Sequence, residues 1–223
     1  MKVFEKIMYP ILVIYLLMAI YYSKNNQSFY QHIVHNDQGL FQWTTFATLL
    51  FASFMCFYRA SILRPFRGPV FSMSQKLLGW IFLFFSFDEV SWLQKFFNFK
   101  SPAFFVEYNI RQEMNFHNLI LYGYKINAIV FTLAIKIIAT IYFLILPFLY
   151  HKMSRVKKFV NNYGIPLPRY TQTFAYLIMA VLVGMITDQN SYVVFELGFY
   201  WLLVLLMYNP INDEVFSRKS LVR

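Results

Sequence analysis

Two groups of chemistry-bearing side chains interrupt an otherwise apolar chain between positions 88 and 118. A charge at the centre of a membrane helix costs about 2.5 kcal/mol or more, so ionisable groups in such a setting usually mark function. We therefore predict catalytic acid/base roles for Glu89, Glu113 and His117. The neighbouring polar and aromatic side chains are predicted to bind substrate: Ser91, Trp92, Gln94, Asn109, Asn115 and Asn118.

The spacing of Asn109, Glu113 and His117 at i, i+4 and i+8 places them on one face if this segment is helical. A glutamate and a histidine at i, i+4 can hold a divalent metal or act as an oriented acid/base pair. The remaining metal ligands would come from the first predicted outer loop, which contains Asp37, His32 and His35. In the alternative interpretation, the amides and Glu113 satisfy backbone groups at membrane depth, and His117 is a neutral histidine bonded to a carbonyl.

Long apolar segments must position these groups. Of the residues, 59% are hydrophobic and 22% aromatic, and a membrane-spanning helix needs about 20 mainly apolar residues. We predict one all-α, polytopic membrane domain over 1–223, with an amphipathic or re-entrant helix near 104–121 on the outer face. The six predicted spans lie near 4–22, 41–59, 77–97, 126–150, 171–187 and 191–208. The first is interpreted as a helix because no small-residue cleavage site follows it.

The basic residues predict an orientation. With the N-terminus in the cytoplasm, 14 of the 20 Lys and Arg residues fall on the inner side and five on the outer side. This positive-inside bias predicts that both termini are cytoplasmic. The net charge of +10 is therefore assigned to topology and anionic lipid contact rather than to nucleic-acid binding.

Three of the spans carry ionisable groups at a similar depth. A rise of about 1.5 Å per residue puts Asp88, Glu89, Lys136 and Glu196 roughly 18–21 Å from the inner ends of their helices. We expect Lys136 to pair with one of the three acids, since a paired buried ion is far less costly than an isolated one. The pair is either a structural contact that fixes helix packing or part of a proton-handling or metal site.

Two motifs resemble a bacterial family of multi-pass membrane proteins. The run from Glu89 to Gln94 is similar to the family's E-I-S-W-G-Q-R, and the run from Asn109 to Asn118 to its N-x-Q-G-E-T-N-L-H-N. The chain departs from the family at Lys95, which replaces arginine, at Arg111, which replaces glutamine, and at Leu93 and Gln112, which replace glycine. The glycine replacements predict altered backbone packing around the site.

This resemblance extends roughly from Asp37 to Pro168 and implies a multi-pass protein of the bacterial inner membrane. The family has no established activity, so the resemblance implies no reaction. Three function classes remain open on sequence alone. The chain is an enzyme acting on a lipid or lipid-linked substrate, a non-catalytic partner subunit or homo-oligomer, or a proton-coupled transporter using Glu89, Lys136 and Glu196. The chain has only 7 glycines and no internal repeat, and both features argue against a transporter.

Overall fold

The computed structural model describes residues 2–34, 39–126, 129, 133–188 and 190–217. The protein is mostly helical, at 79%, which confirms the all-α prediction at this coarse level. Among these described residues, four helices are long and apolar enough to cross a membrane by length and composition: Val3–Asn25, Leu40–Glu89, Ile135–Lys152 and Ser191–Tyr208. A shorter apolar helix, Tyr170–Gly184, accompanies them.

The helices are numbered in chain order. They are α1 (Val3–Asn25), α2 (Gln27–Val34), α3 (Leu40–Glu89), α4 (Gln94–Phe97), α5 (Ala103–Tyr108), α6 (Ile135–Thr140), α7 (Leu146–Lys152), α8 (Ser154–Asn162), α9 (Tyr170–Gly184) and α10 (Ser191–Tyr208). A π-helical turn, Ile141–Ile145, joins α6 to α7. Strands β1 (Ile120–Leu121) and β2 (Tyr124–Lys125) form an antiparallel hairpin. Short 3₁₀ turns cover Ser91–Leu93 and Asp213–Phe216.

Helix α3 is a hairpin folded at Gly68, whose φ of 80° and ψ of 178° break the helix. Hydrogen bonds join its two halves in antiparallel register, from Ser53 Oγ to the Gly79 carbonyl at 2.8 Å and from Ser86 Oγ to the Phe46 carbonyl at 2.9 Å. At Gly79 a Cβ atom would lie 2.9 Å from the Phe57 ring, so glycine permits this close approach. The segments predicted as 41–59 and 77–97 are therefore two halves of one kinked element.

Helix α10 is the centre of the core. It is hydrophobic on all sides, and 14 of its 18 residues are buried, as expected for a helix surrounded by others. It packs against α3, α9 and α1. At its C-terminal end, Asn209 Nδ2 donates to Glu5 Oε1 at 3.0 Å, which joins α10 to the start of α1. The two ends of the described chain therefore lie together on one side of the bundle.

Candidate functional site

The chain leaves α3 through a left-handed turn. Ser91, Trp92 and Leu93 have φ values of 49°, 55° and 59°, and α4 begins only at Gln94. The predicted continuous helix over 77–97 is therefore wrong beyond Glu89. A left-handed conformation costs an L-amino acid roughly 1–2 kcal/mol per residue, so tertiary contacts must hold this turn.

The helix predicted near 104–121 ends early, because an asparagine side chain forms hydrogen bonds with the backbone that follows it. Helix α5 ends at Tyr108, and Asn109 Oδ1 then accepts from the backbone N–H groups of Arg111 at 2.9 Å and Glu113 at 3.4 Å. Such local bonds compete with helical ones. Gln112 adopts a φ of 58°. Positions 109, 113 and 117 consequently do not share a helix face, and the prediction built on that face is wrong.

Backbone pairing closes the segment 109–119 into a loop. Asn109 and Leu119 form an antiparallel bridge, and the Ile110 N–H donates to the Asn118 carbonyl at 3.1 Å. The loop then leads directly into the β1–β2 hairpin. Asn109 Nδ2 also donates across the loop to the Asn115 carbonyl and to Asn115 Oδ1, at 2.8 and 2.9 Å. These amides therefore hold the loop's own shape.

Glu113 ties the loop to the left-handed turn. Its Oε2 accepts from Ser91 Oγ at 3.0 Å, and its Oε1 lies 2.9 Å from Lys95 Nζ. Asn115 Nδ2 donates to Ser91 Oγ at 2.7 Å. The Ser91 hydroxyl thus has its one donor and one acceptor engaged within this buried cluster. The contacts of Glu113 are those of a structural group that stabilises the turn.

Gln94 and Trp92 also make contacts within the protein. Gln94 Oε1 accepts from the Met114 N–H at 2.9 Å, and its Nε2 donates to Ser101 Oγ at 2.7 Å. Trp92 stacks on Phe87, with ring centroids 5.8 Å apart and an interplanar angle of 19°. These contacts fasten the turn to the loop and to α3.

Another polar contact of the site joins Asp88 to His117. Asp88 is only 1% exposed; its Oδ1 accepts from the Phe116 N–H at 2.7 Å, and its Oδ2 lies 3.2 Å from His117 Nδ1. The other imidazole nitrogen, Nε2, lies 3.4 Å from Asn118 Nδ2. A carboxylate that holds one imidazole nitrogen fixes the tautomer and orients the second nitrogen for proton transfer. Sequence spacing gave no signal for this pair.

Neighbouring acids raise the pKa of His117. Burial, the largest single influence, lowers it, but the hydrogen bond to Asp88 and the charges of Glu89 and Asp88 together outweigh burial. The charge of Arg111 acts in the lowering direction. Glu89 is thus close enough to act on the imidazole, which places two of the predicted acid/base residues, Glu89 and His117, in one electrostatic unit with Asp88.

The predicted ion pair of Lys136 is absent among the described residues. Lys136 is exposed, and its Nζ lies 5.6 Å from the centroid of the Phe195 ring. Glu196 is buried, and its Oε1 atom has no hydrogen-bond partner. It interacts electrostatically with Glu89 and Lys136 without contacting either as an ion pair. Lys136 lies at the bundle surface and not in the interior, where an unpaired ammonium group would be costly. A proton relay through Lys136 therefore has no direct contact between Lys136 and an acidic side chain of the described residues.

The predicted metal ligands are not gathered into one site in the part of the chain that the structure describes. No group of three or more His, Cys, Asp or Glu side chains there is arranged to hold an ion. Glu113 bonds Lys95 and Ser91, whereas His117 bonds Asp88. His32 is exposed on α2, and His35 and Asp37 lie outside the described residues.

Comparison with protein-family models, with curated proteins and with solved structures gives no match. Function must therefore follow from the chemistry of the site.

Proposed function

We propose that this protein is an integral membrane enzyme that uses His117 as a general base on a lipid or lipid-linked substrate. The observation that carries the proposal is the contact between His117 Nδ1 and the buried Asp88 carboxylate. The other candidate groups, Ser91, Glu113 and Asn115, hydrogen-bond to one another and build the loop that supports this pair. The Asp88–His117 pair combines an oriented imidazole with a neighbouring acid, Glu89.

The mechanism that best fits these contacts is base-assisted attack by water. Asp88 holds the proton on His117 Nδ1, so the Nε2 lone pair is the basic site, and it accepts from Asn118 Nδ2 at 3.4 Å. When the Asn118 amide turns to the substrate, Nε2 takes a proton from a water molecule as the water oxygen bonds to the electrophilic centre of the substrate. The leaving group then receives that proton from His117. Ser91 is a poor nucleophile here, because its hydroxyl already donates to Glu113 and accepts from Asn115. Asn118, beside Nε2, would orient the substrate.

The surroundings of the pair favour an amphiphilic substrate. Phe96 and Phe97 are 76% and 64% exposed immediately after the left-handed turn, a pattern suited to the bilayer interface. Lys100, on the same segment, supplies positive charge beside them. An anionic headgroup with an acyl chain matches both properties.

The membrane arrangement is part of the proposal. Counting α3 as two crossings, and adding α1, α6–α7, α9 and α10, gives six spans. The contact of Glu5 with Asn209 puts both ends of the described chain on one side, where Arg67 and Arg169 also contact residues 213–214. The positive-inside rule makes that side cytoplasmic in a bacterial inner membrane, with His117 on the opposite side.

A lipid turnover assay tests the catalytic proposal. The purified protein in nanodiscs is incubated with defined phospholipids and with a total bacterial lipid extract, and products are followed by mass spectrometry. We expect turnover by the wild type and a loss of about 10²–10⁴-fold in His117→Gln, the usual contribution of a general base. Asp88→Asn should fall similarly, since the imidazole loses its orientation.

The matched control is His151→Gln, which removes an exposed histidine from the last turn of α7. It should retain wild-type turnover, and all variants should elute as a single species on gel filtration. Equal turnover by His117→Gln and the wild type, with both folded, would exclude His117 as the base.

One observation favours a second candidate, a partner-binding subunit. Tyr122 and Tyr124, in the turn and second strand of the β1–β2 hairpin, are 99% and 65% exposed outside the long apolar helices. Exposed tyrosines are frequent anchors in protein interfaces. Under this alternative, Tyr122→Ser and Tyr124→Ser reduce crosslinking to one defined membrane protein in cells, while His117→Gln does not. Unchanged crosslinking in both tyrosine variants would exclude it.

A further inference from the structure

An apolar cavity of about 260 Å³ lies away from the Asp88–His117 pair, between both halves of α3, α10 and the π-helical turn Ile141–Ile145. Phe199, Leu203 and Met207 line it at i, i+4 and i+8, so it follows one face of α10 for roughly 12 Å. Its polar lining groups are already engaged: Gln75 Nε2 donates to the Gly164 carbonyl, and the Tyr142 hydroxyl donates to the Pro166 carbonyl. The cavity therefore suits an apolar, elongated occupant.

A half-buried cation, Arg59, lies next to Met207, at one end of this cavity. Arg59 Nη2 donates to the Met207 carbonyl, and Arg59 Cζ lies 4.1 Å from the centroid of the Phe216 ring. Its other terminal nitrogen, Nη1, is buried and has no hydrogen-bond partner. Arg59 is also within electrostatic range of Cys56 and Tyr142, two residues that line the cavity.

This guanidinium lacks the anion that a buried charge requires. Among the described residues, no carboxylate forms an ion pair with Arg59; the acidic partners at this end of the bundle are taken by other groups, as in the contact of Arg169 with Asp213 at 3.3 Å. A buried charge is stable only when it is paired and hydrogen-bonded. Arginine binds phosphate oxygens particularly well, because its planar fork of N–H donors matches their geometry.

We propose that the cavity binds one acyl chain of an anionic phospholipid, whose phosphate accepts a hydrogen bond from Arg59 Nη1. The apolar wall accounts for the chain, and the unmatched guanidinium accounts for the negative charge. A phospholipid is the occupant because the helices that enclose the cavity are long enough to cross a bilayer, which supplies that ligand. A π-helical turn in the wall is consistent with a binding site, since such turns often occur at functional positions. This site is independent of the catalytic proposal.

Native mass spectrometry of the delipidated full-length protein tests the proposal. The protein is titrated with phosphatidylglycerol and with phosphatidylcholine of the same acyl chains. We expect one phosphatidylglycerol per chain, bound about tenfold more tightly than phosphatidylcholine. Both lipids carry the phosphate, but the choline ammonium cancels the net negative charge that attracts Arg59. Arg59→Gln should bind both lipids equally. Arg155→Gln, which removes an exposed arginine of α8, should keep the wild-type preference.

A cavity-filling variant keeps the test decisive if Arg59→Gln does not fold. Leu203→Trp leaves Arg59 in place but fills the apolar space, so it should lose binding of both lipids. Equal affinity of the wild type for the two lipids would overturn the proposal. So would unchanged phosphatidylglycerol binding in folded Leu203→Trp, or a free fatty acid occupying the purified protein in place of a phospholipid.

Discussion

Asp88 Oδ2 and His117 Nδ1 lie 3.2 Å apart although 29 positions separate the two residues in the chain. Asp88 reaches this position from the last turn of α3, and His117 from a loop that asparagine side chains hold closed. The pair therefore depends on two independent structural devices, the left-handed turn after Glu89 and the 109–119 loop.

The contact with Asp88 predicts a pH dependence. The folded-state pKa of His117 is raised above the unfolded value of about 6.5, so its protonated form stabilises the fold. This stabilisation is fully present below about pH 6.5 and is lost as the pH rises through the folded-state pKa. In Asp88→Asn, burial should dominate and the pKa of His117 should fall. Histidine-selective NMR titration in nanodiscs measures this pKa, with the signal of His117 identified by its loss in His117→Gln. An unchanged His117 titration in Asp88→Asn would contradict the contact.

The left-handed turn predicts an unusual preference for glycine at position 93. Leu93 has a φ of 59°, where glycine is free of the Cβ clash. Leu93→Gly should therefore be more stable than Leu93→Ala by about 1 kcal/mol, a comparison that cancels the loss of the leucine side chain. Gln112, with a φ of 58°, should behave in the same way. Reversible unfolding in mixed detergent gives the free energies.

The control for this comparison is Leu77, an exposed residue within α3. There, glycine should be less stable than alanine by about 1 kcal/mol, because helical backbone favours alanine. If alanine is the more stable residue at position 93 as well, Leu93 does not have a left-handed conformation. The family that the sequence resembles has glycine at positions 93 and 112. A higher free energy of unfolding with glycine at these positions would therefore support the resemblance.

Asn109 should be the most sensitive amide of the loop. Its side chain accepts from two backbone N–H groups and donates to Asn115, all in a buried setting. Asn109→Ala leaves these groups unsatisfied, which should cost about 1–3 kcal/mol. Hydrogen–deuterium exchange should rise across 109–119 and not in α10. Asn162→Ala, at an exposed position of α8, should leave exchange unchanged. Wild-type exchange in Asn109→Ala would show that the loop does not depend on this amide.

The close approach within the α3 hairpin predicts a rescue. A side chain at position 79 meets the Phe57 ring, so Gly79→Leu should destabilise the fold by about 1–3 kcal/mol through overpacking. Phe57→Ala removes the obstacle, and the double variant should recover part of that loss, as a coupling energy in a double-mutant cycle. Gly184→Ala, with open space around its Cβ position, is the control and should have little effect. Additive effects of the two changes would argue against direct contact.

Some features follow from composition and periodicity alone. Long apolar segments predict membrane-type helices, because a span must bury its backbone groups internally and present apolar side chains to lipid. The structure is accordingly mostly helical, with four helices of the required length. The concentration of polar side chains between Asp88 and Asn118 also predicted where the candidate site would lie, because such groups are costly in an apolar chain unless they have partners.

Partners within that site were decided only by the tertiary structure. Helical spacing placed Glu113 with His117, but the Asn109 side chain bonds the backbone locally and ends the helix at Tyr108. Glu113 consequently meets Ser91 and Lys95, and His117 meets Asp88. Periodicity describes regular backbone, whereas side-chain hydrogen bonds and left-handed residues set the path of an irregular one. The sequence therefore determines which groups are present and near which helix ends, and long-range packing determines which of them touch.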